Sequence, residues 1–162
     1  MTQEQAANFQ RMIDFIKAID ECNFNMLHHA HSYVQYESLD DLENRVSNVS
    51  EGHSCGSTFC AVGSIPNIFP ERYSFVTGVT SGYLPKTRYY LRDSYGVRDK
   101  ETGGITSYHK AAYELFGIES FRDRSCIGSD YYHLFASDEA TNRNKLEQVV
   151  YMENYLKERV IV

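Results

Sequence analysis

Hydrophobic residues recur every three or four positions near both ends of the chain, which is the spacing of helices that pack one face against a core. Near the N-terminus, between Gln3 and Glu21, the apolar positions are Phe9, Met12, Ile13, Ile16 and Ile19. Near the C-terminus, a helix that starts at Ser137-Asp138 or at Thr141 would turn inward Leu146, Val149, Val150, Met152 and Leu156. The pattern therefore predicts a first and a last helix.

Three serines stand where further helices are expected to begin, because a serine hydroxyl can accept a hydrogen bond from a free backbone N–H of the first turn. They are Ser38, Ser107 and Ser129. The helix after Ser38 should end near residue 46, and the helix after Ser107 should end at Gly117. Residues 26–36 are expected to form one more helix.

The pattern changes between about residues 67 and 106, where tyrosines, glycines and turn residues replace the helical spacing. Tyr73–Val76 and Arg88–Leu91 have the composition of strands. We therefore expect a mainly α fold with minor β content. In this prediction residues 1–162 form a single compact helical domain with a Tyr/Gly-rich loop or hairpin insert at 67–106.

Composition limits the class of protein. The hydrophobic content of 42% with 14% aromatic residues argues against disorder, and a net charge of −6 disfavours general binding to nucleic acids. No apolar run has the length of a membrane span, and the polar N-terminus lacks a signal-peptide pattern. Four cysteines without a secretory context indicate reduced thiols, so we expect a cytoplasmic protein without a cofactor.

The densest motif lies at residues 53–63, where two cysteines, two glycines and a hydroxyl pair fall close together. Ser57 would act as the N-cap of a short helix that Gly63 ends. The free N–H groups at such a helix start attract anions and would favour a thiolate on Cys55. An anion-binding turn that uses Ser57 and Thr58, a reactive cysteine, and close helix packing by small residues all remain open.

The pattern Cys55-Gly56-Ser57-x-x-Cys60-x-x-Gly63 resembles the Cys-Gly-Thr-x-x-Cys-x-x-Gly signature of small uncharacterised proteins from bacteria and their phages. Those proteins carry an upstream Phe-Asp-Met, here 24–26, and downstream elements that correspond here to 112–118 and 134–135. This chain departs from the pattern by Asn25, Ser57 and a long insert after Gly63. The resemblance implies an accessory protein of a phage or mobile element, located in the host cytoplasm, and gives no mechanism.

Two chemical interpretations of the cysteines are secondary. His28, His31, Cys55 and Cys60 have the ligand types of a zinc site, although their spacing is not that of a usual zinc knuckle. Cys55 or Cys60 could act as a nucleophile with a histidine base, which would make the protein a small cysteine-dependent enzyme. Neither interpretation is preferred over a protein without catalysis and without a metal.

A basic and aromatic stretch at residues 83–100 is the preferred ligand site. Its cations are Lys86, Arg88, Arg92, Arg98 and Lys100, and they alternate with Tyr83, Tyr89, Tyr90 and Tyr95. Arginine binds phosphate through two hydrogen bonds, and tyrosine rings stack on bases. We expect Arg88, Tyr89, Tyr90 and Arg92, together with Ser57 and Thr58, to bind a small anionic, nucleotide-like ligand.

An acidic stretch at residues 37–51 offers a different surface, with Glu37, Asp40, Asp41, Glu43 and Glu51 against the single cation Arg45. Complementary charge of this kind speeds docking on a basic protein. The preferred hypothesis is thus a non-enzymatic protein that interferes with host defence by binding an anionic ligand or a host defence protein, with a homodimer compatible with either. A structural or regulatory accessory protein without a ligand is the remaining alternative.

Overall fold

The computed structural model describes residues 1–25, 30–32, 35–47, 57–80, 87–91, 96–119, 130–135 and 143–160. The helices are α1 (Gln3–Ala18), α2 (Leu39–Ser47), α3 (Ile65–Ile68), α4 (Tyr108–Phe116), α5 (Asp130–Phe135) and α6 (Lys145–Arg159). The strands are β1 (Ala30–Ser32), β2 (Ser57–Phe59), β3 (Tyr73–Phe75), β4 (Thr77–Thr80), β5 (Arg88–Leu91), β6 (Val97–Asp99) and β7 (Ile105–Thr106).

The prediction of a mainly α fold is wrong, because the described chain is an α+β structure. Its strands form three small antiparallel sheets with the orders β1-β2, β3-β6-β7 and β4-β5. Strands also occur outside the predicted insert, since β1 and β2 lie before it in the chain. The helical spacing near the chain ends therefore described only part of the molecule.

Helix α1 confirms the N-terminal prediction. Thr2 and Gln5 form a reciprocal capping box at its start, which satisfies two backbone donors. All five predicted apolar positions of this segment are buried, with at most 1% exposure. They pack against α4, α5, α6 and the Cys60–Ile68 segment in the larger of two hydrophobic cores.

Helix α4 also follows its sequence signals. The Ser107 hydroxyl accepts a hydrogen bond from the Lys110 N–H at 3.2 Å, and Gly117 ends the helix in the left-handed conformation with φ of 67°. The expected cap at Ser38 is likewise present, since the Asp41 N–H donates to its hydroxyl at the start of α2. Local capping chemistry was a sufficient guide at these positions.

Two predicted helical segments contain strands instead. Within 26–36, residues 30–32 form β1, and Ser57 begins strand β2 instead of capping a helix. The strands pair antiparallel, with Ala30 opposite Phe59, and both of these side chains are buried in the smaller core. Burial of this pair outweighs the weak helical pattern. Gly63 lies in a 3-10 turn at Val62–Ser64 instead of ending a helix.

The last helix begins later than predicted, and only part of the predicted inward face is confirmed, since Val149 and Met152 are buried and Leu156 packs against the larger core. It starts at Lys145 with Asn144 as N-cap, and Leu146 and Val150 are 70% and 48% exposed. The fully buried Gln148 takes an inward position, because its amide donates to the Leu134 carbonyl at 2.6 Å. A buried polar residue thus sets the rotation of α6.

The smaller core lies where the sheets meet α2. Its buried members are Ala30, Tyr36, Leu42, Val46, Phe59 and Leu91, and Phe75 and Tyr89 pack against them. Tyr36 and Tyr89 exchange two backbone hydrogen bonds of 2.8 and 2.9 Å, which join the segment before α2 to β5. This junction positions α2 over strands β3 and β5, beside the cleft described next.

Candidate functional site

A cleft of about 570 Å³ opens between α2, the α3 region and strands β3 to β6. Its walls are formed by Leu39, Leu42, Glu43, Val46, Ser47, Pro66, Pro70, Tyr73, Ser74, Phe75, Thr77, Leu91, Arg98 and Lys100. The volume lies within the range of small-ligand sites in proteins. The described structure therefore holds a concave surface large enough for a ligand or a short peptide segment.

Two cations mark one wall of this cleft. Arg98 on β6 and Lys100 just beyond it are two residues apart, which places them on the same side of an extended backbone. Arg98 donates to the Gly103 carbonyl at 3.2 Å, and Lys100 donates to the Pro70 carbonyl. These carbonyls orient the side chains but leave their charges uncompensated, since no carboxylate forms an ion pair with either among the described residues.

The apolar residues of the cleft lie mostly beneath its surface. Leu42, Val46 and Leu91 are at most 2% exposed, whereas Leu39 is 37% exposed and Pro70 and Phe75 add accessible apolar surface. Glu43 is the one described carboxylate residue among the lining residues, and it lies on the α2 side. The arrangement fits a partner with a negative charge toward β6 and an apolar part toward α2.

The wall that carries the cations is anchored from behind by a polar network. Glu114 on α4 accepts hydrogen bonds from Arg72 at 2.6 Å and from the Tyr73 hydroxyl at 3.0 Å. Arg72 also lies 3.9 Å from Asp99 on β6. Burial, and then the hydrogen bond to Glu114, raises the pKa of Tyr73 far above its usual range, so this hydroxyl stays protonated as a donor.

The predicted ligand residues of β5 lie near the cleft but do not line it. Arg88 pairs with Glu37, with 3.1 Å between Nη1 and Oε1. Tyr89 packs against the smaller core, and Tyr90 stands opposite Gly78, where its ring occupies the space that a Cβ atom would need. Arg88, Tyr89 and Tyr90 thus have structural contacts of their own, and the uncompensated cations lie at the other end of the basic stretch.

The remaining predicted site residues are only partly described. Ser57 and Thr58 lie on β2, with Thr58 opposite His31 on β1, while His28, Cys55 and Arg92 fall outside the described residues. Cys60 is fully buried, and its sulfur accepts a hydrogen bond from the Gly63 N–H at 3.3 Å. Catalysis by a cysteine of this motif would therefore depend on Cys55, because a substrate cannot reach Cys60 in this conformation.

The described residues give no additional support for the predicted metal site. His31 lies on a strand, so the argument that places it one helical turn from His28 does not apply. Within the described ranges, no three side chains of the His, Cys, Asp and Glu types converge as metal ligands.

The residues that sequence reasoning missed are those of α2 and β3, because only the docking of α2 on the sheets brings them to the cleft.

His109 on α4 is the described histidine whose titration the structure perturbs. It is half-buried, its ring stacks on Tyr131 with centroids 4.1 Å apart, and burial lowers its pKa. A lowered folded pKa means that the unfolded chain binds the proton more readily. The contribution of neutral His109 to the free energy of unfolding is therefore complete above about pH 6.5. It declines as the pH falls from there towards the pKa of His109 in the folded protein.

We expect the free energy of unfolding to fall more steeply below about pH 6.5 in the wild-type protein than in a His109→Phe variant, which keeps the stack and removes the titrating group. Urea unfolding at a series of pH values measures both slopes. Parallel slopes would show that the burial of His109 does not affect its protonation.

Comparison with protein-family models, curated proteins and solved structures finds no match to this chain. Among the described residues, no helix combines the length and the apolar character needed to cross a membrane.

Proposed function

We propose that this protein is a non-enzymatic binding protein whose cleft beside β3 holds an anionic partner with an apolar part. The observation that supports the proposal is the pair of cations, Arg98 and Lys100, in a cleft that also exposes the apolar side chain of Leu39. Both belong to the basic stretch at 83–100 that the sequence singles out. We therefore assign the binding of the anion to Arg98 and Lys100 instead of to Arg88 and Arg92.

An anionic, partly apolar partner would gain binding free energy from charge and from desolvation. A hydrogen bond to a charged group contributes about 1.5–3 kcal/mol, and apolar surface contributes about 25 cal/mol for each Å² removed from water. Backbone carbonyls already hold Arg98 and Lys100, so these two side chains would lose less conformational entropy when an anion binds them. A partner that satisfies both walls gains from both terms.

The biological setting that we propose follows from the resemblance of residues 55–63 to proteins of bacteria and phages. An accessory protein of a phage or mobile element could use such a cleft to interfere with host defence, by binding an anionic ligand or an anionic part of a host protein. The acidic stretch is a weaker candidate surface, since Glu37 pairs with Arg88 and Asp41 pairs with Arg45.

A double variant tests the proposal. R98Q/K100Q should lose about 100-fold in affinity for an anionic probe, because two charge-assisted hydrogen bonds are lost and each 1.4 kcal/mol corresponds to about a factor of ten. The probes are inorganic phosphate, guanosine monophosphate and a capped hexapeptide of alternating glutamate and valine, and titration calorimetry measures the affinities.

The matched control is K157Q/R159Q, which removes one lysine and one arginine from the last turn of α6, away from the cleft, and changes the net charge equally. It should bind as the wild-type protein does. The proposal would be contradicted if none of the probes bound the wild-type protein, or if both double variants lost affinity to the same extent.

A further inference from the structure

Strand β3 forms one wall of the cleft and is an edge strand, since β6 is its single neighbour among the strands that the structure describes. Ser74 lies opposite Arg98, and the Lys100 N–H donates to the Arg72 carbonyl at 2.8 Å. The Asp99 N–H donates in the other direction, to Gly104. The backbone groups of β3 that hydrogen-bond to β6 are therefore those of Ser74 and of the preceding Arg72.

Because backbone groups alternate along a strand, Tyr73 and Phe75 direct their N–H and C=O groups away from β6. The Tyr73 N–H donates to the Phe69 carbonyl at 2.9 Å. In the part of the chain that the structure describes, no hydrogen bond satisfies the Tyr73 carbonyl or either backbone group of Phe75. The N–H and C=O groups of Phe75 thus stand at the edge of β3 and face the cleft, whereas the Tyr73 carbonyl belongs to a residue that is only 1% exposed.

An exposed strand edge beside a groove is the geometry in which an extended peptide adds a strand to a sheet. The backbone of the peptide supplies the hydrogen bonds, and pockets for alternate side chains give specificity. A small anion would use the cations of the cleft but would leave the edge groups of Phe75 without strand-type partners. A peptide satisfies both features of the wall.

We propose that the anionic partner is an extended peptide segment that pairs with the free edge of β3. Its acidic side chain lies toward Arg98 and Lys100, and an apolar side chain packs on the accessible surface of Leu39 and Phe75. This inference rests on the proposed function and names the class of its partner. Three paired residues span about 10 Å, so a hexapeptide is long enough to cover the edge and reach the cations.

The test uses peptides, so it requires no variant that alters the fold of the protein. The probe is the capped glutamate–valine hexapeptide, and its control is the lysine–valine hexapeptide. Two further versions carry N-methyl groups on one or the other set of alternate residues. An added strand donates through alternate N–H groups, so one N-methylated version should lose about tenfold or more in affinity while the other binds within about threefold of the parent.

Amide hydrogen exchange of Phe75 gives an independent measure. Saturation with the parent peptide should slow exchange at Phe75 by about tenfold or more, because a new hydrogen bond protects its N–H. Equal binding of both N-methylated versions, or unchanged exchange at Phe75 in the saturated complex, would overturn strand addition.

The same titrations separate the inference from the proposed function. If phosphate or guanosine monophosphate binds in a manner that depends on Arg98 and Lys100 while the peptide does not bind, the partner is a small anion and the inference is overturned. If none of the probes binds, both the inference and the proposed function are contradicted. Binding of the lysine–valine peptide with equal affinity would likewise overturn the assigned charge.

Discussion

Replacing Phe9 by alanine is expected to lower the free energy of unfolding by about 4 kcal/mol. Phe9 is fully buried on α1, and its ring contacts Phe116, Phe135 and Tyr155 at centroid distances of 5.7, 6.1 and 5.8 Å. These partners belong to α4, α5 and α6, so one side chain joins four helices. Its truncation removes apolar transfer energy and leaves a cavity that the surrounding helices cannot close fully.

Urea unfolding followed by circular dichroism measures the effect. Phe9→Leu is the control, since it keeps most of the apolar volume and should cost about 1 kcal/mol. A loss below about 1 kcal/mol for the alanine variant would contradict the packing described for this core.

Replacing Gly96 by alanine is expected to cost about 3 kcal/mol. Gly96 precedes β6 with φ of 84°, a left-handed conformation that side chains other than glycine rarely adopt. A Cβ atom there would lie 2.1 Å from the Thr106 carbonyl oxygen. This neighbour is backbone of β7, so the β6–β7 pairing would have to shift to accept a methyl group.

Gly103 supplies the matched control, because it has a similar φ of 72° but no atom within 4 Å of the added Cβ. Gly103→Ala should therefore show the conformational cost alone, about 1 kcal/mol. Thermal and urea unfolding compare the two variants. Equal costs would mean that the contact with Thr106 has no energetic consequence.

The helices that the sequence predicted well are those with both a cap and a long apolar stripe. Helix α1 has a capping box and four buried apolar positions, and α4 lies between Ser107 and Gly117. Both signals are local, so residues close in the chain contain the necessary information. The composition of β5 was also sufficient, since the strand covers Arg88–Leu91 as expected.

The predictions that failed depend on contacts between distant residues. Strand β1 forms because Ala30 pairs with Phe59, and α6 is rotated because Gln148 bonds to Leu134. No local sequence pattern indicates which distant residue will be the partner. The mainly α assignment was wrong for the same reason, because three-residue strands are too short to leave a clear alternation in the sequence.

The candidate site was predicted in part. The basic stretch at 83–100 contains Arg98 and Lys100. The sequence could not show that Arg88 pairs with Glu37 while these two have no carboxylate partner among the described residues. The contribution of Leu42, Val46 and Ser74 depends on the docking of α2 beside β3. A cleft between distant segments is a property of the tertiary structure.

The most direct test of the central claim is chemical-shift mapping of backbone amides during titration with the capped glutamate–valine hexapeptide. We expect the shifts to concentrate at Leu39–Ser47, at Tyr73–Thr77 and at Val97–Lys100, and to disappear in R98Q/K100Q. Shifts that lie elsewhere in the molecule, for example along α6, or that persist unchanged in this variant, would contradict it.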